Sequence, residues 1–401
     1  MNDHHYQISR RNFLLKTGAV GLGSMLLPSM IRAADEAKPK MARRKFGKTG
    51  VDVSVAGIGC MFPTIDNQVV LKTAYENGVT YWDTAAGYEK GGSEVGISMF
   101  LEKTPGARKN LFLVTKASGA RNAGSMSRLL DESLGRLKTD YIDLYFIHGA
   151  GSISQVDQPE IKAWVEAAKK SGKIRFFGFS THSNMPTMLT AAAQLGWIDG
   201  IMFTYNYREM NKPEMMAAVD ACTKAGIGLT AMKTMAGRGG SDTPEQAALL
   251  DPLKAKGFTP GQAKLKAVMA NEQIATACVQ MPNMKFCREN IAAALDRTQL
   301  AADDRATLER YATATCDGYC SGCSHLCESA LAGAVPVRDV MRHLMYHHSY
   351  GPEVDARALF RELPADTRAR LVQFDYAAAE RICPNRLPIG RMMREASQVL
   401  A

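Results

Sequence analysis

Four polar residues in the first half of the chain have side chains that can act together on a carbonyl group. They are Asp83, Tyr88, Lys116 and His148. A phenol can donate a proton to a carbonyl oxygen, and an imidazole can donate a hydrogen bond to the same oxygen as negative charge develops on it. The combination therefore suits protonation of a carbonyl oxygen while a hydride arrives at the carbonyl carbon.

The lysine and the aspartate have a supporting role in this chemistry. An ordinary tyrosine has a pKa of about 10, which is too high for easy proton donation near neutral pH. An ammonium beside the phenol favours the phenolate, so we expect Lys116 to lower the pKa of Tyr88. The carboxylate of Asp83 would keep Lys116 charged and in place. A buried Asp–Lys pair is often only structural, but all four residues together favour catalysis.

All four residues lie at, or just after, the carboxyl end of an apolar run that is typical of a parallel strand. Eight such runs alternate with amphipathic helices between residues 44 and 300. They cover 53–58, 80–83, 111–116, 144–148, 176–180, 200–204, 228–232 and 275–280. Eight units over about 250 residues predict an α/β fold of the (β/α)8 TIM barrel type, in which the carboxyl ends of all strands meet on one face. A doubly wound sheet is the alternative, but no Gly-x-Gly-x-x-Gly pattern follows the first strand.

The charge of the chain does not indicate a nucleic-acid partner. The net charge is +9, from 49 Lys and Arg against 40 Asp and Glu. The basic residues are scattered among acidic ones, and no basic helix with interleaved aromatic residues is present. This pattern favours a solvated surface and no binding of nucleic acid.

Residues 1–34 have the features of a twin-arginine (Tat) signal peptide. Arg10 and Arg11 precede an apolar stretch at 17–30, and Ala33 and Ala34 offer a cleavage point. The apolar stretch is shorter than the roughly 20 residues that a membrane-spanning helix needs. We therefore expect export by the Tat machinery to the periplasm, with no stable membrane span.

The C-terminal residues 301–401 have a different character. They contain no strand-like run and hold five of the nine cysteines. Cys320, Cys323 and Cys327 are closely spaced, and Cys383 precedes a proline far downstream. This arrangement resembles that of ferredoxins and suits a [4Fe-4S] cluster, which needs four sulfur ligands. We therefore predict a small α-helical, ferredoxin-like cysteine-rich domain.

Three alternatives remain open for these cysteines. Together with Cys316, the three closely spaced cysteines fall on one face of a helix, although Gly318 and Gly322 argue against an uninterrupted helix. Disulfides suit an oxidising compartment, and zinc binds four thiolates. Export by the Tat machinery favours the cluster over the alternatives, because the cluster would be inserted into the protein in the cytoplasm before transport.

Several stretches of the first 300 residues resemble the aldo-keto reductase superfamily. They are 81–88, 92–94, 114–116, 140–148, 177–180 and 205–206. The resemblance implies that Tyr88 is the general acid, that Lys116 and Asp83 tune it, and that His148 orients the carbonyl. It also implies NADP or NAD as cofactor. The cysteines of 301–401 resemble the iron-sulfur subfamily of this superfamily.

The resemblance also assigns residues to the cofactor. Ser180 and Asn206 would contact the nicotinamide, Lys233 and Arg238 a pyrophosphate or ribose, and Asn290 the adenine end. Met202 replaces the glutamine that binds the nicotinamide amide in the family, and Phe286 stands four positions before Asn290 in place of an arginine. These departures leave both NAD and NADP open.

The sequence therefore leads to two hypotheses of different classes. The first is an exported oxidoreductase that acts on a small carbonyl or alcohol substrate, with a possible electron-transfer partner. The second is a periplasmic binding protein that keeps the pocket without turnover, with zinc or disulfides in its cysteine-rich domain.

Overall fold

The structure is a computed structural model, and it describes residues 40–120, 122–238, 241–350 and 355–401. The predicted signal peptide at 1–34 lies outside the described residues. Among the described helices, none is long and apolar enough to cross a bilayer.

Eight parallel strands form a closed barrel within the described part of the chain, which confirms the predicted fold. A hairpin of β1 (Arg43–Lys45) and β2 (Asp52–Ser54) precedes it. The barrel strands are β3 (Ala56–Gly59), β4 (Tyr81–Asp83), β5 (Phe112–Ala117), β6 (Ile142–Ile147), β7 (Ile174–Thr181), β8 (Gly200–Thr204), β9 (Gly228–Met232) and β10 (Thr276–Gln280). The first predicted run, 53–58, is divided between β2 and β3, and the strands follow chain order until β10 closes the ring against β3.

Amphipathic helices surround the barrel, because each strand is buried on both faces and its connection must cover the outer one. These helices are α1 (Gln68–Glu76), α2 (Gly92–Lys103), α3 (Ala107–Asn110), α4 (Ala123–Leu137), α5 (Pro159–Lys170), α6 (Met185–Ala192), α7 (Pro213–Lys224), α8 (Pro244–Ala248), α9 (Asp251–Ala255), α10 (Pro260–Met269) and α11 (Met284–Leu295). Gly172 and Gly226 follow α5 and α7 with φ of 77° and 71°, a conformation that stops a helix before the next strand.

The amino end of the barrel is closed by Phe46, which follows β1. Its ring is fully buried and packs 5.1 Å from the ring of Phe112. Gly200 and Gly228, at the starts of β8 and β9, make room for it: a Cβ atom on Gly228 would lie 2.3 Å from the Phe46 side chain. The carboxyl end of the barrel is therefore the end left for a site.

The C-terminal region consists of seven helices among the described residues. They are α12 (Ala302–Ala314), α13 (Ser324–Ala330), α14 (Val337–Ser349), α15 (Ala356–Arg361), α16 (Ala365–Arg370), α17 (Ala377–Ile382) and α18 (Ile389–Val399). The helices α14, α15, α17 and α18 share an apolar core that includes Val340, Leu344, Phe360 and Met393. The helix α12 instead packs with α9 and α10, so it extends the barrel's own helical layer. The division of the chain at residue 300 stays a prediction.

Candidate active site at the barrel mouth

The ammonium of Lys116 brings three of the four predicted residues together. Its Nζ lies 2.7 Å from Oδ2 of Asp83 and 3.2 Å from the hydroxyl of Tyr88, and it donates a third hydrogen bond to the carbonyl oxygen of Thr84 at 2.8 Å. Lys116 comes from β5 and Asp83 from the end of β4, whereas Tyr88 lies in the loop after β4. The strand ends therefore converge as the barrel argument predicts.

The loop that carries Tyr88 has an unusual backbone. Glu89 and Lys90, directly after Tyr88, have φ of 51° and 54°. This left-handed region is uncommon for residues other than glycine, and such conformations concentrate at functional sites. The backbone of this loop is therefore strained, and the strained conformation places the phenol of Tyr88 over the strand ends.

The Lys116–Asp83 pair is almost completely removed from solvent. Lys116 is 1% exposed and Asp83 is 3% exposed. Burial raises the pKa of Asp83, and the neighbouring ammonium of Lys116 opposes that shift. Within the described residues Oδ1 of Asp83 has no hydrogen-bond partner, so the carboxylate depends on Lys116 alone for compensation of its charge.

The pKa of Tyr88 departs from the sequence prediction. Burial raises the pKa of this phenol well above its ordinary value, and the nearby carboxylate of Asp83 raises it further. The prediction that the pKa of Tyr88 is lowered is therefore wrong in direction, because desolvation of the phenolate and repulsion by Asp83 outweigh the lowering by the ammonium of Lys233. Tyr88 is consequently protonated near neutral pH, which is the form that a proton donor requires.

His148 follows β6 and faces Tyr88. The two rings meet edge to face with their centres 5.7 Å apart. Burial lowers the pKa of His148 to about 3, with further lowering by the positive charges of Lys116, Arg342 and Lys233. The imidazole is therefore neutral.

Ser118 sets the orientation of this imidazole. Its Oγ lies 2.7 Å from Nδ1 of His148. When Ser118 donates to Nδ1, the ring carries its proton on Nε2 and can donate it to a substrate oxygen. Sequence reasoning did not find Ser118, although a hydroxyl two residues after a strand-end lysine is a usable signal.

The predicted nicotinamide contacts lie at neighbouring strand ends. Ser180, in β7, accepts a hydrogen bond from the backbone N–H of Gly149 at 3.0 Å. The side-chain amide of Asn206, after β8, donates to the carbonyl oxygen of Lys233 and to the hydroxyl of Tyr319, at 3.2 and 3.0 Å. Tyr319 belongs to the cysteine-rich segment, so this segment reaches into the barrel mouth.

The other three predicted cofactor residues, Lys233, Arg238 and Asn290, lie in different surroundings. Lys233, after β9, lies at the mouth, where it donates to the hydroxyl of Tyr346 at 2.9 Å. The guanidinium of Arg238 bonds Asp242 and Gln246, and Asn290 donates to the carbonyl oxygen of Gln280. Met202 packs inside the barrel, and Phe286 is 45% exposed. The structure thus brings Lys233, but neither Arg238 nor Asn290, to the tetrad, and their roles toward a cofactor stay predictions.

A cavity of about 590 Å³ lies between the strand ends and α14, and we call it the mouth cavity. Its lining from the barrel includes His182, Thr204 and Lys233, and its lining from the C-terminal region includes Tyr319 and Arg342. Neither Tyr346 nor Arg342 was found by sequence reasoning, because no local pattern says that α14 folds over the barrel.

The four predicted sulfur ligands line a second cavity, of about 390 Å³, which we call the cysteine cavity. Cys320 and Cys323 lie in the loop before α13, Cys327 is in α13, and Cys383 follows α17. The alternative of one continuous helix is wrong, since a 3-10 turn and a loop precede α13. All nine cysteines are free in the structure. Among the described residues, no group of three or more His, Cys, Asp or Glu side chains forms a site that could hold a metal ion.

Comparison with known proteins agrees with this geometry. Residues 62–309 match the model of the aldo/keto reductase family. The chain therefore belongs to this family of oxidoreductases, which confirms the predicted superfamily and class of enzyme. It is 25% identical over 299 residues to the L-galactose dehydrogenase of Arabidopsis thaliana, a match that covers 67% of this chain and 93% of the relative.

Other matches are shorter or concern the fold. An uncharacterized oxidoreductase of Bacillus subtilis is 31% identical over 45% of this chain, and the match spans 61% of that relative's length. An aldo-keto reductase of Bacillus halodurans in its holo form superposes with a TM-score of 0.55 at 23% identity, over 68% of this chain and 96% of its own. One from Klebsiella pneumoniae, in complex with NADP and acetate, gives 0.55 at 23% identity over 67% and 94%.

The buried ion pair generates a stability prediction. The Lys116→Met variant leaves Asp83 buried without compensation, so we expect its free energy of unfolding at pH 7 to fall by about 3–5 kcal/mol. The loss should be smaller at pH 5, because the raised pKa of Asp83 then lets the carboxyl group take up a proton. Urea denaturation followed by circular dichroism measures both values.

The control for this experiment is Lys138→Met, because the ion pair of Lys138 with Glu102 is exposed. We expect this change to cost less than about 1 kcal/mol. Adding Asp83→Asn to Lys116→Met should recover part of the lost stability. Equal losses of unfolding free energy in Lys116→Met and Lys138→Met would show that the buried pair stabilises the protein no more than an exposed pair does.

Proposed function

We propose that this protein interconverts a carbonyl compound and its alcohol with NADP(H) or NAD(H). The single observation that carries the proposal is the convergence of Lys116, Asp83 and Tyr88 through hydrogen bonds at one strand edge, with His148 facing the phenol. The family's solved relatives with bound NADP support a nicotinamide cofactor.

The mouth cavity fits the reactive end of such a cofactor. It lies at the carboxyl end of the barrel, the end that also carries the tetrad, and is bordered by Thr204 and Lys233 at the ends of β8 and β9. Ser180 and Asn206 would hold the nicotinamide at the neighbouring strand ends, and the bound cofactor would supply the hydride. Met202 has no amide group, so the side-chain amide of Asn206 would recognise the nicotinamide in its place.

The residues of the chain supply the proton and the orientation. The hydroxyl of Tyr88 and Nε2–H of His148 would donate hydrogen bonds to the carbonyl oxygen, which fixes the carbonyl and polarises it. Tyr88 then transfers its proton to that oxygen. The ammonium of Lys116, 3.2 Å away, stabilises the phenolate that remains, and Asp83 keeps the ammonium in position.

The role of Tyr88 can be measured directly. The Tyr88→Phe variant keeps the ring but loses the hydroxyl proton, so we expect kcat for reduction of an aldehyde to fall by a factor of about 10²–10⁴. The assay is oxidation of NADPH and, separately, of NADH, with purified protein.

Tyr145→Phe is the matched control, because the hydroxyl of Tyr145 is buried in β6 without a hydrogen-bond partner among the described residues. Its kcat should stay within twofold of that of the wild type. Full turnover by Tyr88→Phe would refute Tyr88 as the general acid.

We also propose that the cysteine cavity holds a [4Fe-4S] cluster bound by Cys320, Cys323, Cys327 and Cys383. Each thiolate of such a cluster binds a different iron atom, so the sulfurs surround a space and do not meet at one point. Four cysteines line one cavity, which is the number of sulfur ligands that this cluster needs. Cys320 also lines the mouth cavity, which favours an electron-transfer role for the cluster.

The metal proposal has a direct test. Protein purified without oxygen should contain about four iron atoms and four acid-labile sulfides per chain, with a brown visible absorbance. Cys320→Ser should lose most of the iron, whereas Cys287→Ser, a buried cysteine of α11, should retain it. One zinc and no iron per chain would favour the alternative.

We further propose that the protein is exported through the Tat pathway, on the basis of Arg10, Arg11 and the apolar stretch after them. We expect the double variant Arg10→Lys/Arg11→Lys to accumulate in the cytoplasm, and Lys38→Arg/Lys40→Arg to reach the periplasm as the wild type does. Cell fractionation with immunoblotting measures both. Unchanged export of the first variant would contradict this route.

A further inference from the structure

We propose that the mouth cavity binds an anionic group of the substrate, so that the enzyme acts on carbonyl compounds that carry a carboxylate or a phosphate. The inference rests on the proposed reductase function and specifies its substrate class. The groups that we assign to the anion are the ammonium of Lys233 and the guanidinium of Arg342.

The charges that line the mouth cavity are all of one sign. Lys233, Arg338 and Arg342 contribute side chains to its wall, and no Asp or Glu is among its lining residues in the described part of the chain. Three methionines form an apolar part of the same wall, at Met341, Met345 and Met392. Because apolar walls weaken screening by water, an anion in this cavity would be attracted more strongly than one at an open surface.

Lys233 keeps its charge available to a ligand. Its Nζ donates to the hydroxyl of Tyr346 and lies 4.1 and 4.5 Å from the ring centres of Tyr346 and Tyr350. Aromatic faces and a hydroxyl hold an ammonium in place without cancelling its charge as a carboxylate would. Within the described residues Lys233 forms no salt bridge.

Arg342 is the second charge that we assign to the anion, whereas the guanidinium of Arg338 is held by other side chains. Arg338 bonds Asp339 and Ser183, and it also lines the cysteine cavity. Arg342 has Asp339 as its sole ion-pair partner among the described residues, at 3.1 Å. Since a guanidinium carries five N–H donors, Arg342 retains enough of them for a two-point contact with a carboxylate or phosphate.

The position of these charges relates the anion to the reaction. Lys233 lines the cavity after β9, and His182 lines it directly after β7, the strand that pairs with β6. His148 follows β6, so the charges and the imidazole that would orient the carbonyl share the carboxyl end of the barrel. An anion held by them would sit beside the tetrad on the side of α14. The carbonyl of one small molecule would then lie at the tetrad, and its anionic group would lie at Lys233 and Arg342 in the same cleft.

Two sources of the anionic group must be separated, since a phosphate of the cofactor has the same chemistry as a phosphate of the substrate. The probes are 4-carboxybenzaldehyde and its methyl ester, which share a skeleton and differ in charge. Their dissociation constants are measured by calorimetry in the presence of NADP⁺, which allows no reduction, and the affinity for NADP⁺ is measured separately.

We expect the wild type to bind the acid more tightly than the ester. Arg342→Gln should weaken binding of the acid roughly tenfold or more, which corresponds to loss of a charged hydrogen bond, and leave the ester unchanged. Arg342→Lys should restore part of the difference. Arg391→Gln removes an exposed arginine of α18 and should bind both probes as the wild type does.

Three results would overturn the inference. They are equal effects of Arg342→Gln on acid and ester, a loss of NADP⁺ affinity in place of acid affinity, and no binding of either the acid or inorganic phosphate by the wild type. Failure of the reductase function has a different signature: the acid would bind in an Arg342-dependent manner, but NADPH oxidation would be absent. Turnover without discrimination between acid and ester would refute the anion site alone.

Discussion

The site depends on one buried cation. The ammonium of Lys116 is removed from water and receives compensation from a carboxylate, a backbone carbonyl and a phenol. Desolvation of a charge is costly, and only accurately placed partners offset that cost. Asp83 must therefore stay in register with Val114 on β5, the strand that also carries Lys116. The closed barrel provides this accuracy, because each strand is fixed by a neighbour on both sides.

The C-terminal helices complete the site as well as carrying the cysteines. Tyr319 bonds Asn206, Tyr346 bonds Lys233, and Ser349 exchanges hydrogen bonds with the backbone of Arg238. These contacts join the cysteine-rich segment and α14 to the loops after β8 and β9. The pocket is consequently shared between the two parts of the chain, and Arg338 and Arg342 bring positive charge to it from outside the family's barrel.

Sequence reasoning predicted the barrel and the convergence of the tetrad because both follow from local patterns. A hydrophobic run bounded by turn residues marks a strand, and residues such as Asp83 and His148 lie at strand ends whatever the distant contacts are. The direction of the pKa shift of Tyr88 was wrong for a related reason. A nearby ammonium can be inferred from a motif, but the extent of desolvation depends on everything that packs around the phenol.

The sequence by itself determined which groups stand at the strand ends and which cysteines are available as ligands. It did so because the alternation of residues in a strand, the glycines that end helices and the chemistry of each side chain are properties of short segments. The tertiary structure alone decided that Arg342 and Tyr346 face the mouth, that Ser118 orients His148, and that Cys320 borders both cavities. These outcomes depend on contacts between residues far apart in the chain, such as the 113 positions that separate Lys233 from Tyr346, and no local pattern specifies them.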